Sequence, residues 1–219
     1  MTKIKINPFI SFAAGLALLS FGVVLVVKAN YGVTVVISAA YVLSQKFTVL
    51  SFGKINYIVQ GVVFIIMIIV MNKINAKYFL SFLASVIFGY AIDLFTYLLL
   101  NFSVTSHYLR IMLFAFSIVI ISLGLVFFLK SKLPIMPFDL FVREVSTKYN
   151  IKIEKFKTAF DIILLMIATT LSFIFFGRLN GIHIGTLVSA LTIGSCIDFF
   201  IKVFDKYFYV DIKSKLQTL

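Results

Sequence analysis

Long stretches without any charged side chain most constrain what this chain can fold into. No Asp, Glu, Lys or Arg occurs from Ile6 to Val27, between Lys54 and Lys73, or between Arg110 and Lys130. A charge in lipid costs at least a few kcal/mol, and a crossing helix needs about 20 apolar residues. Hydrophobic residues make up 62% of the chain and charged residues 13%, whereas a soluble domain has about 25% charged residues. The sequence therefore predicts a helical integral membrane protein and excludes a soluble enzyme or a disordered chain.

The charge gaps predict six membrane spans. The predicted spans are Phe9–Val27, Ile55–Met71, Phe79–Leu100, the gap from Arg110 to Lys130, Ala159–Phe176 and Ile184–Phe200. Two more segments, Val33–Leu43 and Ile135–Val145, are apolar but too short for an easy crossing, and they predict re-entrant or interfacial helices. The second segment carries Asp139, Arg143 and Glu144, which favours six crossings over eight. We therefore expect an all-α, polytopic transmembrane helix bundle forming one membrane domain over residues 1–219.

The distribution of positive charge predicts the orientation of the bundle. The chain has 20 Lys and Arg against 8 Asp and Glu, a net charge of +12. With six crossings and the amino terminus inside, 15 of the 20 positive residues lie on the inner side. Eight crossings would leave 14 there, so the charges alone leave six versus eight open. The positive-inside rule places both termini in the cytoplasm. The excess charge is then explained by topology, with the lipid bilayer and not nucleic acid as the partner.

The two halves of the sequence resemble each other. At an offset of 102 residues, Ser20-Phe-Gly matches Ser122-Leu-Gly, and Lys28, Gly32 and Ser44 match Lys130, Pro134 and Ser146. At an offset of 105, Gly89–Phe95 and Gly194–Phe200 share the pattern G-x-x-I-D-x-F. These matches predict a first repeat over 6–103, a second over 104–208 and a cytoplasmic tail over 209–219. Three crossings per repeat would make the repeats inverted, whereas crossing short helices would make them parallel.

Several of these segments together resemble a known family. They are Leu133–Glu144 (LPIMPFDLFVRE), Lys157–Asp161 (KTAFD), Gly181–Thr186 (GIHIGT) and Lys28–Gly32 (KANYG). In these segments the chain resembles the YitT/YczE-type family of bacterial multi-pass membrane proteins. The first half departs from that pattern, because Val33-Thr-Val-Val stands where such proteins often carry a proline and an acidic residue. The resemblance implies a bacterial cell-membrane location and a transport function, but no substrate.

Acidic residues within the spans are the first candidates for a binding site. Asp93 and Asp198 occupy matched positions in the two halves, and ionisable residues inside spans usually face a cavity or a partner. They predict proton or cation coupling, with helix-packing carboxylates as the alternative. Asp161 follows Lys157 by four residues and can equally be an interfacial ion pair. The polar residues Tyr57 and Gln60 either line a pathway or bond across helices.

The breaks around the short helices are the second group of candidates. Pro134, Pro137 and Asp139 begin the second short helix, and Asn30 and Gly32 occupy the corresponding break in the first half. Free N–H groups at a helix start can receive an anion, although Asp139 can also be a capping residue. The single cysteine, Cys196, and two widely separated histidines predict no metal site, and we expect no cofactor.

These features favour a small secondary transporter of an unidentified small polar solute or ion, with its site between the two repeats. Two alternatives remain open. One is the substrate-binding membrane subunit of an ATPase-driven importer, and the other is a non-transporting membrane regulator or assembly factor. We do not expect an enzyme, because the sequence has no His pair with a Glu, no G-x-G-D and no D-x-x-x-D motif. Whether the chain forms a homodimer stays open.

Overall fold

The computed structural model describes residues 3–210, which form eight α helices and one two-stranded sheet. The elements are β1 (Ile4–Ile6), α1 (Pro8–Ala29), α2 (Val35–Lys46), α3 (Phe52–Met71), α4 (Ala76–Leu98), α5 (His107–Lys130), α6 (Pro137–Lys148), α7 (Ile153–Phe176), α8 (Ile184–Tyr207) and β2 (Phe208–Val210). Six of the helices are long and apolar enough to cross a membrane. The predicted all-α, six-span architecture is confirmed, and the chain is a multi-pass membrane protein.

The long helices begin and end at local sequence signals. The Asn7 side chain accepts a hydrogen bond from the Phe9 N–H at the start of α1, where Pro8 occupies the first turn. Ser51 caps the start of α3 by accepting from the Lys54 N–H. Asn30 and Asn72 end these two helices in the left-handed region, at φ 52° and 49°, a conformation that Asn tolerates better than most residues.

Some helices start earlier than the charge gaps predict. α7 begins at Ile153, not Ala159, and includes Lys157 in its second turn. α3 begins at Phe52 and includes Lys54. A helix extends beyond the hydrocarbon layer into the interface, where charged side chains are tolerated. Charge gaps therefore mark only the lipid-embedded part of each helix.

The paired helices α1 and α5 form the centre of the bundle, one from each half. Gly15 packs against the backbone of Gly124 and Phe128, so that a Cβ at Gly15 would come within 2.9 Å of the Gly124 carbonyl oxygen. Gly22 packs in the same way against Ile121. Small residues let transmembrane helices approach closely. The largest buried apolar cluster is built around this pair.

The remaining contacts repeat with the two halves exchanged. α4 packs on α1, and its counterpart α8 packs on α5. Likewise α2 contacts both α7 and α3, and its counterpart α6 contacts both α3 and α7. This is the pattern expected of two structural repeats. One pair breaks it: α3 and α4 pack closely, but α7 and α8 make no comparable contact over their described lengths.

The two short helices start near the middle of the bundle and run to opposite ends. β1 pairs in parallel with β2, Ile4 opposite Phe208, so both ends of the described chain lie at one end of the bundle, the strand end. Val35 and Phe138, in the first turns of α2 and α6, share a cluster with residues midway along α3 and α7. Each short helix has 12 residues, or about 18 Å, too short to cross. Of the predicted tail, residues 211–219 lie outside the described part.

Opposite directions of α2 and α6 follow from the contacts at their last turns. Lys148 Nζ of α6 donates to the Val70 carbonyl at the strand end of α3, at 2.7 Å. Lys46 of α2 lies 5.9 Å from the ring centroid of Phe175, near the other end of α7, which we call the far end of the bundle. The two short helices therefore run from the middle of the bundle to its opposite ends, and neither crosses it alone.

Candidate functional site

A cavity of about 450 Å³ lies where the two repeats meet. The first turns of α2 and α6 form part of its wall, and residues from both central helices and from α3, α4, α7 and α8 complete it. Binding pockets for small molecules are typically about 300–1,000 Å³. The cavity is therefore large enough to hold a ligand, and helices from both halves of the chain line it.

Both short helices present their amino-terminal ends to this cavity. Neither Thr34, which precedes α2, nor Met136, which precedes α6, caps the following turn with its side chain. The first N–H groups of a helix have no partner within the helix and carry a partial positive charge. Two such ends bring backbone donors to one cavity.

The residues predicted at the breaks before α2 and α6 lie outside the cavity wall but position the starts of these two helices. Gly32 has φ 118°, and a Cβ there would collide with Thr186 at the start of α8. The carbonyl of Asn30 accepts from the Arg110 guanidinium at 2.5 Å. Pro134 and Pro137 flank Met136, with Pro137 in the first turn of α6. These residues fix where α2 and α6 begin, but none of them lines the cavity.

Two buried amides of α3 lie in the cavity wall without hydrogen-bond partners. Asn56 is 1% exposed and Gln60 2% exposed, and both line the cavity wall. Among the described residues, neither amide atom of Asn56 nor Oε1 of Gln60 has a hydrogen-bond partner, and Nε2 of Gln60 reaches only the Met136 sulfur at 3.9 Å. An unsatisfied buried polar group costs about 1–3 kcal/mol. Such a pair indicates a site that a bound molecule completes.

The sequence identified only one of these two amides. Gln60 is noticeable as a polar residue inside an apolar run, but a span residue of this kind can equally bond to a neighbouring helix. Asn56 lies one turn before Gln60 on the same face of α3. The spacing of four residues between Asn56 and Gln60 was the signal in the sequence, but it indicates a binding site only once the position of the cavity is known.

A charged cluster forms another part of the cavity wall. Lys157 Nζ of α7 lies 3.4 Å from Asp161 Oδ1 and 3.8 Å from Asp139 Oδ1 of α6. Arg143, one turn after Asp139, lines the same region. The structure thus brings together two predicted site residues, Asp139 and Asp161, and joins them through a lysine. Arg143 in turn lies 3.8 Å from Glu144 Oε1, so each of these charged side chains has an ion-pair partner.

The matched aspartates Asp93 and Asp198 lie away from the cavity wall, in unlike surroundings. Asp93 accepts a hydrogen bond from the Ser51 hydroxyl at 2.5 Å and one from the Gly53 N–H at 2.8 Å. It therefore joins α4 to the start of α3. Asp198 is exposed and, within residues 3–210, has no hydrogen bond or ion pair.

Among residues 3–210, no three His, Cys, Asp or Glu side chains lie close enough together to hold a metal ion.

Comparison with curated proteins finds no match, and comparison with solved structures finds none. One family model matches residues 6–202, which is most of the chain, and its description is a family of unknown function (DUF6198). The chain belongs to this family.

Proposed function

We propose that this protein is a small secondary transporter that binds its solute in the central cavity. Access to the cavity alternates as the two repeats exchange conformations, a design found in transporters with inverted repeats. The observation that supports this is an asymmetry between two equivalent helix seams, α3–α4 in the first repeat and α7–α8 in the second. One seam is closed and the other is open around the same cavity.

The α3–α4 seam is closed near the far end of the bundle. Gly53 and Gly89 bring the two backbones into contact, so that a Cβ on Gly53 would overlap the Gly89 carbonyl oxygen. The Asp93 carboxylate then bonds to the first turn of α3 through Ser51 and Gly53. Charged acceptors at a helix start are favourable because they satisfy free N–H groups. In the proposed mechanism this contact closes the α3–α4 seam towards the far end.

The α7–α8 seam is open nearer the strand end. Gly194 matches Gly89 in sequence, yet a Cβ on Gly194 would meet nothing within 4 Å. Asp198, which matches Asp93, is exposed. Lys157 of α7 and Ile197 of α8 both line the cavity on either side of this gap. With the termini in the cytoplasm, as the positive charges predict, this gap lies in the cytoplasmic half of the bundle.

The closed seam predicts how the open one closes. Ser51 precedes α3, and the residue that precedes α7 is Lys152. In the exchanged conformation Asp198 approaches the start of α7 and pairs with Lys152, while Asp93 separates from Ser51. The chain then opens to the far side, and a solute in the cavity is released there.

Paired cysteines test this exchange in membranes. In a Cys196→Ser background, one variant carries cysteines at Ser51 and Asp93 and a second carries them at Lys152 and Asp198. A short thiol cross-linker should join both pairs, and a variant carrying all four cysteines should rarely cross-link both pairs in one molecule. Cross-linking of the first pair alone would refute alternation and favour a non-transporting protein.

A further inference from the structure

We infer that the cavity binds an amphiphile with an apolar body and an uncharged head that both donates and accepts hydrogen bonds, such as a primary amide. This ligand reaches the cavity from the bilayer, through the gap between α7 and α8. The inference rests on the proposed function, for which it names the substrate class. It differs from the small polar solute or ion that the sequence predicted.

The wall of the cavity is suited to an apolar body. Most of its side chains are aliphatic or aromatic, including Val23 of α1, Phe88 of α4, Ile121 and Leu125 of α5 and Ile193 of α8. Burying apolar surface contributes about 25 cal/mol per Å², which a small polar solute cannot exploit. A ligand that fills this space must therefore cover apolar surface.

The two free amides define the head of the ligand. Asn56 offers one unused NH₂ group, and Asn56 and Gln60 each offer an unused carbonyl oxygen. An amide carbonyl only accepts hydrogen bonds and an amide NH₂ only donates them. A head that satisfies both residues must donate as well as accept, which an amide or an alcohol can do.

The charges beside the cavity favour an uncharged head. Lys157 lies within 4 Å of both Asp139 and Asp161, and Arg143 lies 3.8 Å from Glu144. Each charged side chain of the cavity wall thus already has an ion-pair partner, and none is left unpaired to offset the cost of moving an ionic head out of water, which amounts to several kcal/mol for a buried ion. A carboxylate or an ammonium head is therefore disfavoured relative to an amide.

The gap between α7 and α8 lies among lipid-facing side chains. Ile162 and Met166 of α7 are 52% and 55% exposed, and Leu191 and Phe199 of α8 are 80% and 60% exposed. In a membrane these apolar faces contact acyl chains. A molecule dissolved in the bilayer thus reaches the gap without crossing a layer of water.

Binding is tested on the full-length protein in lipid nanodiscs, using decanamide, decanoate, decylammonium and acetamide as probes. A ligand that binds the folded state raises the melting temperature in a saturable way. We expect decanamide to do so, with decanoate and decylammonium at least about tenfold weaker, equivalent to 1.4 kcal/mol. Equal shifts for the three decyl compounds, or a stronger effect of acetamide, would overturn the inference.

Two substitutions at Gln60 assign the effect to the cavity. Gln60→Leu should weaken decanamide binding about tenfold, while Gln45→Leu, the same change at an exposed residue of α2, should leave it unchanged. Gln60→Glu should shift the preference towards decylammonium, because it adds an unpaired carboxylate. Equal decanamide binding by all three variants would contradict the assignment to Gln60.

The outcome separates this inference from the proposed function. Decanamide binding in a protein whose seams never exchange would preserve the site and exclude the transporter. Exchange of the seams without any preference for decanamide would preserve the transporter and exclude the substrate class.

Discussion

The matched aspartates provide the sharpest test of the asymmetry between the two repeats. Replacing Asp93 with Ala removes two hydrogen bonds to a carboxylate, from the Ser51 hydroxyl and the Gly53 N–H. Hydrogen bonds to charged groups contribute about 1.5–3 kcal/mol each, and Asp93 is only partly buried, which puts each bond at the lower limit. We expect Asp93→Ala to lower the free energy of unfolding by about 3 kcal/mol. Asp198→Ala removes no bond and should leave that free energy unchanged.

Unfolding in mixed micelles measures this difference. Each variant in dodecylmaltoside is titrated with sodium dodecyl sulfate, and the loss of helicity is followed by circular dichroism. Asp93→Asn should be intermediate, losing about 1–2 kcal/mol, because its amide oxygen still accepts from the Gly53 N–H but the charge is gone. Equal destabilisation by Asp93→Ala and Asp198→Ala would refute the reasoning, since it would mean that both seams are closed in the same way.

Two further predictions use other residues of the two repeats. Gly53→Ala should destabilise the fold strongly, since its Cβ would overlap the α4 backbone. Gly194→Ala places its Cβ in open space and should stabilise α8 by up to about 1 kcal/mol. The same titration measures both variants, and an unchanged free energy of unfolding for Gly53→Ala would contradict the packing of α3 on α4. In a Cys196→Ser background, Lys46→Cys and Lys148→Cys should react with a membrane-impermeant maleimide from opposite sides, because α2 and α6 run to opposite ends. Labelling of both from one side would refute the inverted arrangement.

The spans were predictable because lipid imposes a strong and local rule. A charge is costly at every depth of the hydrocarbon layer, so the gap from Lys5 to Lys28 identifies α1 without any knowledge of its neighbours. Segments of eleven residues are too short to span the hydrocarbon layer, and α2 and α6 are indeed short, with 12 residues each. The exact start of α7 was not predictable, because the interface tolerates Lys155 and Lys157.

Part of the candidate site was visible in the sequence. Asp139 and Asp161 were identified, but their ion pairs with Lys157 join two different helices. An i,i+4 spacing predicts only the pair within α7. Asn56 was missed, because an amide inside an apolar span is compatible with a helix contact as well as with a cavity.

The sequence by itself predicted the six spans, the positions of the two breaks and the repetition that pairs Asp93 with Asp198. Only the tertiary structure decided that Asp93 bonds to α3 while Asp198 stands free. The physical reason is that a repeated motif specifies the same local helix twice, whereas the partner of that helix depends on how the whole bundle packs. Gly53 allows α3 to touch α4, and at the corresponding second residue of α7 the chain carries Glu154. Similar motifs therefore pack differently in the two halves, and the α3–α4 seam is closed while the α7–α8 seam is open around the shared cavity.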